Sequence, residues 1–209
     1  MNLKYYYWYF QSALPKWFCN DLIEFGNQQR EEKGITGQNN RLDNLNEEQL
    51  KNQLQIRNSN VAWVRDPWIL NMIKPFVEKA NKNAGWNFQI DGCEDAQFTK
   101  YKLKQFYDWH CDSFEEPLNC PNIPEKHGRI RKLSVTCSLS DPKDYSGGEL
   151  EFDYRMHKNT KEIQYNKCLE ILPKGSVVVF PSHIWHRVKP VTKGTRYSLV
   201  IWNIGYPFK

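Results

Sequence analysis

At 209 residues, with 40% hydrophobic and 14% aromatic side chains, the chain has material for one packed core and is too apolar for intrinsic disorder. Its formal charge of +5 arises from 29 basic and 24 acidic residues scattered along the sequence, unlike the dense basic stripe of a nucleic-acid binder. Six cysteines without a CxxC pair and an amino terminus lacking an apolar signal core imply reduced thiols in the cytoplasm; no stretch approaches the ~20 apolar residues of a bilayer span.

The first third of the chain predicts helices. In LPKWFCNDLIEFGN, Pro15 suits a first helical turn, Phe18, Leu22 and Phe25 form one stripe, and Gly26 stands where the helix would stop. Residues 27 to 55 are rich in Asn, Gln, Glu and Lys and read as a loop with a short polar helix. RDPWILNMIKPFVEKANKNAG predicts a second amphipathic helix, capped by Asp66 with Pro67 in its first turn. Its apolar stripe is Trp68, Met72, Ile73, Phe76 and Val77; Pro75 should kink it, and Gly85 should end it.

From residue 96 the pattern changes to strands. AQFTKYKL, FYDWHC, RKLSVTCSLS, GELEFDY, KCLEIL, SVVVF, IWHRVKPV and TRYSLVIWNIG are short, rich in β-branched and aromatic residues, and separated by Pro, Gly, Asn and Asp. Helices before strands, without βαβ alternation, predict an α+β fold with a jelly roll or barrel, and no Gly-rich phosphate loop or GxSxG elbow is present.

Within YDWHCDSF, alternation along an extended strand points His110 and Asp112 to one face and Cys111 to the other. Taken alone, such a pair reads more simply as a surface histidine beside a strand-ending aspartate. A third ligand is sought in FPSHIWHRVKPV. His186 and Val188 share a face opposite Arg187 and Lys189, so His186 points inward, whereas His183 follows a turn signal and is unconstrained. Two histidines and a carboxylate suit non-haem Fe(II), with zinc as the rival metal. Downstream, Arg196, Ser198, Val200 and Trp202 alternate onto one face. An inward arginine needs a partner: a dicarboxylate ligand held by a bidentate fork, or an internal Asp or Glu.

Three stretches together carry a family resemblance: YKLKQFYDWHCD from Tyr101, LSVTCSLSDPKDYSGGELEF from Leu133, and LPKGSVVVFPSHIWHRVKPVTKGTRYSLVIWNIG from Leu172. Over roughly residues 90 to 205 the chain resembles the Fe(II)- and 2-oxoglutarate-dependent dioxygenases, in particular the prolyl 4-hydroxylase branch and its bacterial and phage-type relatives. The resemblance implies a double-stranded β-helix core. It assigns residues 1–209 to one oxygenase domain, with helical support over about 1–90 and the core over about 91–209. It further implies Fe(II) held by His110, Asp112 and His186, and 2-oxoglutarate anchored by Arg196 with Ser198 and Tyr101 helping. The glycine that the family often carries between its tyrosine and HxD is missing from KLKQF here. Gly147 and Gly148 match paired glycines that serve the backbone path alone.

The implied reaction consumes O2 and 2-oxoglutarate, leaves succinate and CO2, and hydroxylates a prolyl side chain in a peptide or protein, with ascorbate as an accessory reductant. The same cofactors acting on a small molecule or nucleic acid, and a non-catalytic jelly-roll binding module, are the alternatives. Residues 113 to 129 form a long loop after the ligands, suited to closing over substrate. Arg129, Arg131 and Lys132 either flank an anionic substrate or lie on a solvated surface.

Overall fold

Why the first third folds as it does is visible in its caps and packing stripes. In the computed structural model, which describes residues 5–36, 45–153 and 165–208, strand β1 (Trp8–Phe10) leads into helix α1 (Lys16–Gln28), with Pro15 at the cap position. Phe18, Cys19, Leu22 and Gly26 form the buried face. Gly26 does not stop this helix, as the sequence reading has it. The helix runs on to Gln28, and Gly26 is instead where the Phe98 ring packs, since a Cβ there would stand 2.5 Å from the ring's Cγ. Gly26→Ala is therefore expected to destabilise the protein by about 1–3 kcal/mol through overpacking, a cost larger than the helix-propensity gain of up to ~1 kcal/mol. Melting curves check this; an unchanged or raised melting temperature would show that the ring yields.

Strand β2 (Glu32–Lys33) follows, and then helix α2 (Glu47–Ile56), the short polar helix expected. A capping box opens it: the Gln49 backbone N–H donates to Asn46 Oδ1 at 2.8 Å, and the Asn46 N–H donates to Gln49 Oε1 at 3.0 Å. Positions 37–44 of the expected loop lie outside the described residues. Strands β3 (Arg57–Asn58) and β4 (Asn60–Val64) precede helix α3 (Pro67–Asn83), which is unbroken through Pro75. Asp66 precedes α3 without a side-chain capping bond. The stripe that α3 buries is Ile69, Ile73, Val77 and Ala80, turned from the expected one. Branched and small side chains fit closely against the sheet, while Trp68, 38% exposed, packs edge-on against Phe18 and Phe25.

The remaining strands are β5 (Gly92–Cys93), β6 (Ala96–Tyr101), β7 (Phe106–His110), β8 (Ile130–Ser138), β9 (Tyr145–Gly147), β10 (Leu150–Asp153), β11 (Tyr165–Lys167), β12 (Val177–Pro181), β13 (His186–Val188), β14 (Val191–Gly194) and β15 (Arg196–Gly205). Among the described residues they form an eight-stranded sheet in the order β1-β12-β8-β15-β6-β4-β2, with β5 beside β15. A five-stranded sheet, β11-β10-β13-β7-β3, faces it, and β14 pairs with β9. The result is the α+β jelly roll expected, with α1 and α3 against the larger sheet and α2 beside β3 and β7 of the smaller one.

Three expected elements differ. KCLEIL is a strand only to Lys167; Leu169–Ile171 is a 3-10 turn. IWHRVKPV divides into β13 and β14 around Pro190, which has no N–H to give a ladder. Tyr154, the end of the expected strand GELEFDY, lies outside the described residues. In the first ninety residues, expected to be helical, β4 is a strand between β6 and β2 of the large sheet. Its five residues, NVAWV, are too short a run for periodicity to separate strand from buried helix.

Alternation sorts the large sheet into two faces. Leu133, Val135, Cys137, Val177, Val179, Leu199 and Ile201 pack beneath the helices with Phe18, Leu22, Ile69 and Ile73. The other face, toward the small sheet, carries Gln97, Thr99, Ser134, Thr136, Ser138 and Ser198, all buried. Buried hydroxyls and an amide in such a row make a poor core, so this end of the sandwich is where a polar site belongs. Among the described residues no helix is long and apolar enough to cross a membrane.

Candidate active site

His110 closes β7 and His186 opens β13, and the antiparallel ladder sets them directly opposite one another with ring centroids 4.1 Å apart. Asp112 lies just beyond the end of β7. Its backbone N–H and that of Ser113 both donate to the Ser182 carbonyl, at 2.9 and 3.0 Å, which turns the carboxylate back toward the histidines. The potential ligand atoms of His110, Asp112 and His186 lie within 4.8 Å of one another. Nε2 of His110 is 3.8 Å from Asp112 Oδ1, and Nε2 of His186 is 3.7 Å from Oδ2.

The tautomers follow from the backbone. Nδ1 of His110 stands 2.7 Å from the Asp108 carbonyl oxygen, and Nδ1 of His186 stands 3.0 Å from that of Ile184. A carbonyl only accepts, so each Nδ1 carries the proton and each Nε2 presents a lone pair to the shared centre. Burial and the adjacent His186 hold His110 well below the usual imidazole range, although Asp112 pulls the other way. Burial raises the Asp112 carboxyl, but His186, His110, Arg131 and a hydrogen bond from Ser134 outweigh it and hold it below the usual range. Two imidazoles turned Nε2-inward and a carboxylate are the donor set a divalent transition metal takes. His183, half-buried, stands outside this group.

Aromatic rings line the centre. Tyr107 stacks on His110 at 3.4 Å between centroids, and Phe180 meets His186 edge-on at 4.7 Å. Cys111 points away, its thiol 3.6 Å from the Ser113 carbonyl.

Arg196 opens β15 opposite Tyr101 of β6, and only 2% of it is exposed. Its Nη1 donates to Ser198 Oγ at 3.2 Å, and its Cζ lies 5.5 Å from the Tyr101 ring. Among the described residues no carboxylate pairs with it, so the internal salt bridge weighed from the sequence is not formed. Gly148, expected to serve only the backbone path, stands against this arginine: a Cβ there would lie 2.9 Å from Arg196 Cδ, and its φ of +66° suits glycine.

At the mouth, Trp63 and Arg57 are absent from the sequence reading, and Arg131 departs from it. Arg131 is neither solvated nor a free flank. It forms a double contact with Glu94, at 2.5 and 2.9 Å, lies between the rings of Trp202 (3.9 Å) and Phe114 (4.6 Å), and donates to the Asp112 carbonyl at 3.3 Å. Trp63 continues the aromatic wall, 6.1 Å from Trp202. Arg57, 4% exposed, reaches from β3 across to Gln97 of the large sheet. No local pattern marks these positions, because they come from strands far apart in the chain. The 113–129 loop is tied down by Lys126–Asp95 (3.4 Å), Arg129–Asp91 (2.6 Å) and backbone bonds joining Leu118 to Gly128 and Arg129.

Residues 96–203 match the family model described as the 2OG-Fe(II) oxygenase superfamily. The chain belongs to this superfamily. The matched span contains His110, Asp112, His186 and Arg196. A PKHD-type hydroxylase of Pseudoalteromonas atlantica is 35% identical over 107 residues, which cover 51% of this chain and 41% of that protein. One from Synechococcus is 39% identical over 100 residues, 48% of this chain and 36% of the relative. The match thus spans under half the length of these curated relatives. Among solved structures, a collagen prolyl hydroxylase from Paramecium Bursaria Chlorella virus-1, crystallised with 2OG, superposes with a TM-score of 0.63 at 19% identity, covering 97% of both chains. A Trichoplax adhaerens prolyl hydroxylase in complex with a hypoxia inducible factor peptide gives 0.64 at 16% identity over 96% of this chain and 84% of that one. Both likenesses concern the fold.

Proposed function

We propose that the protein is an Fe(II)- and 2-oxoglutarate-dependent dioxygenase that hydroxylates a prolyl side chain in a peptide or protein. The observation that carries the reading is the convergence of two Nε2 lone pairs and the Asp112 carboxylate beside a buried arginine without an internal counter-charge. His110, Asp112 and His186 would hold the iron, which supplies the activation of O2 when 2-oxoglutarate is bound.

The chain's own groups bind and orient. Arg196 offers a planar fork to the far carboxylate of the co-substrate, and Ser198, already hydrogen-bonded to it, fixes the fork's rotation. Tyr101, fully within the sandwich, closes the same corner. Tyr107, Phe152 and Phe180 keep water from the centre. Trp63, Trp202 and Phe114 offer flat apolar faces of the kind that receive a pyrrolidine ring. A nucleic-acid substrate is the weaker reading, because the cations around the mouth are already paired: Arg65 and Lys126 with Asp95, Arg129 with Asp91, and Arg131 with Glu94. A reducing cytoplasm belongs to the same proposal and is supported by six cysteines free of disulfides.

The test is succinate formation from 2-oxoglutarate with Fe(II) and proline-containing peptides, run with and without ascorbate, alongside mass spectrometry of the peptide. Succinate together with peptide that has gained one oxygen is the expected outcome. No Fe(II)-dependent succinate, with or without peptide, would overturn the assignment.

A further inference from the structure

Among the described residues, the buried Arg57 guanidinium has no carboxylate partner. Arg196 is likewise a buried guanidinium with no carboxylate partner among the described residues, while Arg131 is matched by Glu94 and, on the outer face of the small sheet, Arg187 by Glu151. In the reading above, Asp112 and the ketoacid end are at the metal and the far carboxylate is at Arg196, which leaves Arg57 without a counter-charge among the described residues. A buried cation without a counter-charge is costly, so a site that retains one is built for an anion.

The surroundings of Arg57 agree. Every protein acceptor it meets is neutral: Nε donates to Ser59 Oγ at 2.9 Å, Nη2 to Gln97 Oε1 at 2.6 Å and Nη1 to the Ile35 carbonyl at 3.4 Å. Those are three of the five N–H donors of a guanidinium, and the rest have no acceptor among the described residues. Its Cζ stands 4.5 Å from the Tyr107 ring, the ring that stacks on His110, so the cation sits one aromatic layer from a proposed metal ligand. A second unmet donor lies in the large sheet. Trp202 Nε1 is buried without a hydrogen-bond partner among the described residues. Trp202 shares the inward face of β15 with Val200, whose cross-strand partner is Gln97, the residue that holds Arg57. Both unmet groups are donors, and what this part of the interior lacks is an acceptor.

We infer that Arg57 binds a carboxylate of the substrate, so that the substrate class is a prolyl unit bearing a free carboxylate close to the hydroxylated ring. This rests on the hydroxylase reading above and narrows it. The carboxylate has three sources of the same chemistry: free L-proline, a carboxy-terminal prolyl residue, or an acidic side chain next to an internal one.

The experiment compares each acid with its isosteric amide: L-proline with L-prolinamide, a peptide ending in Pro-COOH with the same peptide ending in Pro-CONH2, and internal Glu-Pro with Gln-Pro. Product is followed by mass spectrometry and succinate is assayed in parallel, on wild type, Arg57→Gln and Arg57→Lys. In wild type at least one acid should exceed its amide in kcat/KM by about tenfold or more, the lower end for a charge-assisted hydrogen bond. Whichever pair shows it identifies the source. Arg57→Gln should bring that ratio close to one, and Arg57→Lys should retain part of it. The ratio is internal to each protein, so a partly unfolded variant does not distort it, and the wild-type comparison stands if a variant fails to fold. Equal turnover of acid and amide in every pair, a preference that survives in Arg57→Gln, or substrate-independent succinate formation with none of the six compounds hydroxylated would overturn the inference while leaving the oxygenase reading intact. Absence of Fe(II)-dependent succinate would instead remove the reading beneath it.

Discussion

His186→Ala is expected to abolish hydroxylation and to weaken metal binding by more than about 100-fold. Loss of an outer-shell partner alone typically costs 10–100-fold, and His186 is placed to bind the ion itself. The geometry makes this residue hard to replace. It stands directly opposite His110 in the ladder, its Nδ1 is held by the Ile184 carbonyl, and Phe152 and Phe180 border its ring, so no neighbouring side chain can swing into its place. His183→Ala is the matched control: that histidine lies three residues away but outside the triad, and metal affinity should stay within a few-fold of wild type. Titration of Fe(II) under anaerobic conditions, or of Mn(II) followed by electron paramagnetic resonance, reads affinity without turnover, and melting curves separate lost ligand from lost fold. Tight metal binding in His186→Ala, or its loss in His183→Ala, would contradict the assignment.

Arg196→Ala should weaken 2-oxoglutarate binding by about 2–5 kcal/mol, the usual range for truncating one side of a buried charge pair. Metal binding and the fold should survive, because Arg196 has no carboxylate partner among the described residues and its hydrogen bond to Ser198 is to a neutral hydroxyl. Arg196→Lys should recover only part of the affinity, since an ammonium cannot reproduce the planar fork. Had the arginine been bridged within the protein, its removal would instead have lowered thermal stability and left co-substrate affinity alone. Calorimetric titration of 2-oxoglutarate into anaerobic, metal-loaded protein, run beside thermal melts, distinguishes the two. Unchanged affinity in Arg196→Ala would move the anchor elsewhere, and Arg57 is the other buried guanidinium in reach.

The two substitutions differ in how their sites become legible. Alternation turns His186 inward, and His186 and Val188 are buried on either side of the half-buried Arg187. Arg187 is not simply wet, however. It pairs with Glu151, which is fully buried, at 2.7 Å, a contact that becomes visible only when β10 and β13 lie side by side. For Asp112, alternation along a strand is an incomplete premise. The strand ends at His110, and the carboxylate is aimed by hydrogen bonds to Ser182, about seventy residues further on.

What the sequence by itself determined about this protein is whatever depends on neighbours along the chain: the two amphipathic helices, most of the strands from residue 96 onward, the pairing of His110 with Asp112, and the inward turn of His186 and Arg196. Those follow from periods of 3.6 and 2, which local order alone imposes. The tertiary structure decided what depends on which strands become neighbours. It placed β4 inside the large sheet, made Gly26 a seat for Phe98 where a helix stop was expected, and set Gly148 against Arg196. It also clamped Arg131 between two rings and Glu94, and it carried Arg57 from the end of a polar helix to within one aromatic ring of His110. The physical reason is that side-chain periodicity encodes which face a residue shows, whereas the identity of what it meets there is set by strand order and register, and these are properties of the whole chain.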